Sequence, residues 1–180
     1  LFETQVTVFQ KDETYITYNF LKGYNYRIQG EFEKAEKSYN NVLKRNPNDM
    51  KTRRELVFIY ISNQEYEIAY EIAKGIFKQN RDNIYYAQAY FDCLINKKNR
   101  TDEDNADIEE IVSIVKKVYQ RIKSNSMYFQ ILAKYYAFIE ENKAKSVKCI
   151  EEGIESNREG IVSYLLKDLF DIYEHYRDLD

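Results

Sequence analysis

The sequence predicts an all-α fold of stacked helix pairs, and three observations point there. First, two stretches match at a constant offset. Gly23, Tyr26, Gly30, Phe32, Ala35, Tyr39, Val42 and Pro47 are followed, in the same order, by Val57, Tyr60, Gln64, Tyr66, Ala69, Ala73, Ile76 and Arg81. A fixed period in this range marks units that cannot bury their apolar faces alone and stack to do so. Second, apolar residues inside each stretch recur at three- and four-residue steps, the spacing of an amphipathic helix. Third, one proline and five glycines in 180 residues leave few places where a helix must break.

Residues 1–15 are open to two readings. Val6 and Val8 alternate with Gln5 and Thr7 as in a strand, or the segment is the tail of a preceding helix. A Tyr-rich first helix runs from Ile16 to Gln29 and ends at Gly30, since helices often end at glycine. Glu31 to Arg45 form its partner, with Phe32, Ala35, Tyr39, Val42 and Leu43 on one face. Asn46-Pro47-Asn48-Asp49 stops that helix and offers capping chemistry to the next. Met50–Ser62 and Glu65–Lys78 make the second pair. Ile84–Asn96 and Asp107–Lys123 make a third, separated by a charged loop over 97–106 that carries about eight residues more than the period allows. A fourth pair starts near Ser126, with Phe129, Leu132, Ala133 and Tyr136 in its first helix and Ser146, Ile150 and Gly153 in its second. Ile161–Tyr176 is a single helix, placed to cover the end of the stack.

These residues resemble the tetratricopeptide repeat family. Its small, aromatic and proline sites fall on Gly23, Tyr26, Phe32, Ala35, Tyr39 and Pro47 in the first repeat. The second keeps Tyr60, Tyr66 and Ala69 but departs at Val57, Ala73 and Arg81. The resemblance implies a right-handed α-solenoid of antiparallel helix pairs: an N-terminal lead-in over 1–15, four repeats over 16–160 (16–49, 50–83, 84–125 with the loop insertion, and 126–160), and a C-terminal capping helix over 161–180. It also implies that the first helices line a concave groove that holds a protein or peptide. The groove residues carried over are Phe20, Tyr24 and Arg27; Lys51, Arg54 and Phe58; Tyr85, Gln88 and Asp92; and Met127, Gln130 and Lys134. Aromatic and Arg side chains suit such a surface because they dominate interface energetics. The repeats that clamp chaperone C-terminal carboxylates carry Lys-Asn-Asn-Lys-Arg where this chain has Phe20, Tyr24, Glu55, Tyr85 and Ala89. That subtype does not fit.

Composition narrows the function classes further. The formal charge of −3 supplies no global field for nucleic acid. The basic run Lys97-Lys98-Asn99-Arg100 is short and has acidic neighbours. No apolar stretch approaches the roughly 18 residues that span a bilayer, and no secretory pattern opens the chain, so a cytoplasmic setting is expected. Cys93 and Cys149 are expected as buried, reduced thiols. Two cysteines and one histidine offer no metal cluster. Neither a nucleophile motif nor a phosphate loop is present, and the runs Glu140-Glu141, Glu151-Glu152 and Asp102-Glu103-Asp104 suit solvated faces. The expected function is therefore a non-catalytic protein- or peptide-binding module with no cofactor. The alternative is a sensor or regulatory repeat region of a larger bacterial signalling or defence protein.

Overall fold

The computed structural model describes residues 2–119, 126–156 and 163–177. Among them the secondary structure is helical throughout, with no strand: α1 Phe2–Ile28, α2 Phe32–Arg45, α3 Met50–Ser62, α4 Tyr66–Gln79, α5 Ile84–Asn96, α6 Asp102–Ile114, α7 Ser126–Phe138, α8 Lys143–Ser156 and α9 Ser163–Arg177. The chain divides into two compact units, Leu1–Gln79 and Asn80–Asp180.

In the first unit α1 packs on α2 and α3, α2 on α3, and α3 on α4. First helices of successive repeats thus lie side by side, each with its own partner behind it. The seam is built from small residues against rings. Gly23 of α1 faces the ring of Tyr39 in α2, and a methyl group there would stand 2.7 Å from the ring. Tyr39, Ala35, Leu56 and Ile59 form the buried centre, flanked by Phe20, Tyr26, Phe32, Leu43 and Tyr60. Ala35 and Ala69, expected at the close approach of each pair, are fully buried.

The turns repeat with the helices. Gly30 has φ +75° at the end of α1 and Gln64 has φ +64° at the end of α3. The Gly30 N–H donates to Arg27 O and that of Glu31 to Tyr26 O; at the matching places of the next repeat, Gln64 donates to Ile61 O and Glu65 to Tyr60 O. Both are the paired bonds that satisfy the last carbonyls of a helix through a left-handed residue. Asp49 caps α3, accepting from Thr52 N at 2.7 Å. Asn83 caps α5, accepting from Tyr85 N at 2.9 Å.

In the second unit α5 packs on α6 and α7, α7 on α8, and α9 on both α7 and α8. The helix α9 therefore meets the last pair as α3 meets the pair α1–α2. Gly153 of α8 repeats the role of Gly23: a methyl group there would stand 2.7 Å from the ring of Phe129 in α7. Ser146 donates to Ala133 O at 2.9 Å across the same seam.

Three sequence-based expectations need correction. Residues 2–28 form one helix, so the alternation at Val6 and Val8 is not a strand. The helix begins well before Ile16. The charged segment 97–106 is only partly a loop, because α6 starts at Asp102. Thr101 accepts from Asp104 N at 3.2 Å, and the Asp104 carboxylate accepts from Thr101 N at 2.8 Å. This reciprocal box satisfies two otherwise unpaired donors and captures the acidic run as a first turn, where it also suits the helix dipole. Asp104 closes that cap. The extra length of the third repeat moves accordingly. First helices start at Met50, Ile84 and Ser126, and the second helices between them at Tyr66 and Asp102. Set against the second repeat, a little of the excess precedes α6 and most of it follows the start of that helix. Val115–Tyr119 is a π-helical turn that continues α6, a form that absorbs inserted residues without ending the helix. The expected end of that helix at Lys123, the junction 157–162 and the terminus 178–180 lie outside the described residues.

Candidate functional site

The groove residues expected in the first unit come together on α1 and α3, around a residue that the sequence reading did not assign to the site. Glu55 of α3 is only 1% exposed. A lone buried carboxylate is costly unless it is paired. Here two guanidiniums serve it: Arg27 Nε of α1 lies 2.9 Å from Oε2, and Arg54 Nη2 lies 2.5 Å from Oε1. The Arg27 contact is at ion-pair distance but is not aligned as a hydrogen bond.

Rings hold both cations. The Arg27 guanidinium sits 5.1 Å from the Tyr24 ring centre and 5.9 Å from that of Phe58, and the Arg54 guanidinium sits 5.8 Å from Phe58. These are cation–π distances. Lys51 Nζ stands 4.4 Å over Phe20, whose own ring packs 5.7 Å from Tyr39. Burial first, and then the charge of Glu55, push the Tyr39 hydroxyl well above its ordinary value. Chemically the face offers aromatic surface, two partly exposed guanidiniums and an exposed lysine, with the neutralising carboxylate underneath.

In the second unit the expected residues also meet, but they satisfy one another. Gln88 of α5 donates to Gln130 of α7 at 3.0 Å. Lys134 of α7 lies 3.0 Å from Asp92 of α5 and 3.4 Å from Asp168 of α9. Burial works against the charge of Lys134, but Asp92 and Asp168 outweigh it and hold the amine protonated. Burial raises Asp168 above the usual carboxylate range despite Lys134. Asp168 was absent from the sequence-based set; its signal was a single Asp on an otherwise apolar stripe of the last helix. Tyr85 is exposed at the start of α5.

The other singled-out residues are absorbed by structure. His175 packs edge-on against Phe138 at 4.7 Å and Tyr176 at 5.1 Å. Lys97 of the basic run turns back onto Asp104 at 2.6 Å. Cys93 and Cys149 are buried free thiols, with Cys149 Sγ donating to Phe129 O at 3.7 Å, and burial pushes the Cys149 thiol up to about 12. Among the described residues no group of three or more His, Cys, Asp or Glu side chains is placed to hold a metal ion. None of the described helices is long and apolar enough to cross a membrane.

Helix pairs repeating at a constant period, closed by Gly or Ala against rings, define a class of helical-repeat protein. Residues 26–90 match the tetratricopeptide repeat family. Solved structures share the fold. A thermophilic tetratricopeptide repeat protein of Thermus thermophilus, TTC0263, superposes with a TM-score of 0.70 at 14% identity, over 88% of this chain and 81% of that one. PilF of Pseudomonas aeruginosa gives 0.64 at 15% identity, over 93% and 72%. YrrB, described as a tetratricopeptide repeat protein with an unusual peptide-binding site, gives 0.54 at 15%, over 86% and 75%. No curated protein matches the chain in sequence.

Proposed function

We propose that this chain is a non-catalytic interaction module that holds a protein or peptide partner on the first-helix faces of its repeats. One observation carries the reading. Six residues named from the repeat frame make aromatic–cation contacts on α1 and α3: Tyr24, Arg27, Arg54 and Phe58 around Glu55, and Lys51 over Phe20. Aromatic and Arg anchors on a rigid helical surface are what peptide capture needs, because little side-chain freedom is lost on binding. The peptide-binding site of YrrB is a property of that protein, and it supports the reading by analogy of fold. The proposal includes a cytoplasmic setting, supported by two buried thiols not joined in a disulfide. It excludes nucleic acid as the partner, supported by the acidic balance of the chain.

Peptides selected from a random display library on the immobilised full chain test this. Tyr24→Ala with Phe58→Ala should abolish their binding, measured by fluorescence anisotropy, and leave the helical circular dichroism in place. Reversing Arg54 is the poorer choice, because Arg54→Glu would set a second carboxylate beside buried Glu55. Peptides that bind the double variant as tightly as the parent chain would remove this face from consideration.

A further inference from the structure

We propose that the ligand of the α1–α3 face is an acidic peptide segment, its carboxylate seated on Arg27 beside Arg54 and an adjoining apolar side chain laid on Tyr24 and Phe58. The inference rests on the peptide-binding reading of this face and specifies the chemistry of its partner.

The order of charges from inside to outside carries it. Glu55, Arg27 and Arg54 together hold one negative and two positive charges. The negative member is 1% exposed. The positive members keep 27% and 19% of their side chains in solvent. A ligand approaching from water therefore meets these cations before it meets Glu55. Exposed Lys51, over the Phe20 ring, adds to the same sign.

Arg27 turns its Nε edge to Glu55. Its side chain remains partly in solvent, and a planar guanidinium fork suits a carboxylate better than any other common side chain does. The rings of Tyr24 and Phe58 already hold that guanidinium, so less freedom is lost when the carboxylate arrives. Partial burial strengthens the attraction relative to a fully hydrated pair. Tyr24, 41% exposed, offers apolar surface beside it. A basic peptide would be repelled here, and a neutral one would forgo the charge-assisted bonds. The second unit presents the opposite balance around Lys134, which is enclosed by Asp92 and Asp168.

The test uses three fluorescein-labelled peptides of equal length, alternating Leu and Phe with Glu, Gln or Lys, titrated with the full chain. The Glu peptide should bind most tightly, with affinity falling as salt rises. Arg27→Met should weaken it about ten- to hundredfold, as expected for loss of a charge-assisted bond. Two variants keep the proposal falsifiable if Arg27→Met disturbs folding. Lys51→Glu, at the exposed rim, should weaken the Glu peptide up to about fivefold. Glu55→Gln should tighten it, because the internal competitor for both guanidiniums is neutralised. A Gln peptide bound as tightly as the Glu peptide, and lost in Tyr24→Ala with Phe58→Ala, would overturn the acidic ligand and leave the peptide-binding reading standing. Glu-peptide binding that ignores both Lys51→Glu and Glu55→Gln would also overturn it. Binding of none of the three peptides would overturn the inference as well, while the display selection judges the broader reading separately.

Discussion

The close approach of α1 and α2 rests on Gly23, and replacing it with alanine weighs two opposed effects that the structure allows to be separated. An alanine in a helix interior is favoured over glycine by about 1 kcal/mol. Against that, the new methyl at residue 23 would stand 2.7 Å from Tyr39 Cε1 and 2.8 Å from Cδ1. Carbon atoms rest at about 3.5–4.0 Å, so the ring must retreat by roughly 1 Å. It has nowhere to go: Tyr39 is fully buried, held by Phe20 and packed with Leu56 and Ile59. Overpacking of this kind costs about 1–3 kcal/mol, and the net effect is a loss of up to about 2 kcal/mol.

Gly75 of α4 supplies the control, because a methyl group there meets nothing within 4 Å. Gly75→Ala should stabilise by about 1 kcal/mol. Urea unfolding followed by circular dichroism reads both variants. The two midpoints should move in opposite directions, or at least stand about 1–3 kcal/mol apart when converted. A double-mutant cycle with Tyr39→Leu should return a coupling of about 0.5–3 kcal/mol, since the smaller side chain makes room. Gly153→Ala, against Phe129 at the same 2.7 Å, should behave like Gly23→Ala in the second unit. Gly23→Ala stabilising as much as Gly75→Ala would refute the seam as described.

Other outcomes follow from single sites. Gln64 holds φ +64° where the preceding repeat has Gly30, so Gln64→Gly should raise the urea midpoint by about 1 kcal/mol in converted terms. Lys134→Met leaves Asp92 and Asp168 without their shared cation and should cost about 3–5 kcal/mol. Asp168→Asn should be neutral or stabilising at neutral pH. Its raised folded-state value favours the protonated acid, so its contribution is fully present below the unfolded value of 3.8 and fades as pH rises through the folded one; unfolding midpoints from acid to neutral pH should fall less in the Asn variant. At high pH the tyrosines act in the same sense. Burial first, then hydrogen bonds to Glu36 and Glu109, push Tyr60 and Tyr135 up to about 12. The unfolded chain ionises its tyrosines from about 10, so stability should fall between those values, and Tyr60→Phe should flatten part of the fall.

The repeat was legible because its determinants are local and strict. Only a small residue fits at Gly23, Ala35 and Ala69, and only a large one fills the space beside it, so the period survives in the residues themselves. Turn geometry repeated even where its residue did not. Gln64 adopts the left-handed conformation of Gly30 because the two terminal hydrogen bonds require it. The α6 start was misread because an acidic run looks like solvent-facing loop until its cap is seen. The pattern Thr101-x-x-Asp104 was the available signal, and it outweighs the polarity of the segment. The strand-like alternation at residues 5–8 failed for the opposite reason. So short an alternation cannot set a period, and the continuous helical register of α1 carries through it.

The site was legible as a set of positions and not as an electrostatic arrangement. Side-by-side first helices follow from the frame, which is why Arg27, Arg54, Tyr24 and Phe58 could be named together. Their counter-charge could not, because frame position does not fix environment. Leu21 and Glu55 occupy equivalent places in successive repeats, yet the leucine is 58% exposed and the glutamate 1%. In hydrophobicity the two are inverted. Glu55 is buried because α1 lies against α3 and supplies Arg27 to meet it. A carboxylate next to Arg54 in sequence looks like an ordinary solvated pair, and only the neighbouring helix turns it into the buried base on which two arginines stand. The same logic makes Glu55 the most informative residue on this face. If it organises the guanidiniums for a carboxylate ligand, neutralising it tightens acidic peptides while loosening the fold, and those two readouts move oppositely only when the arginines serve both the core and the partner.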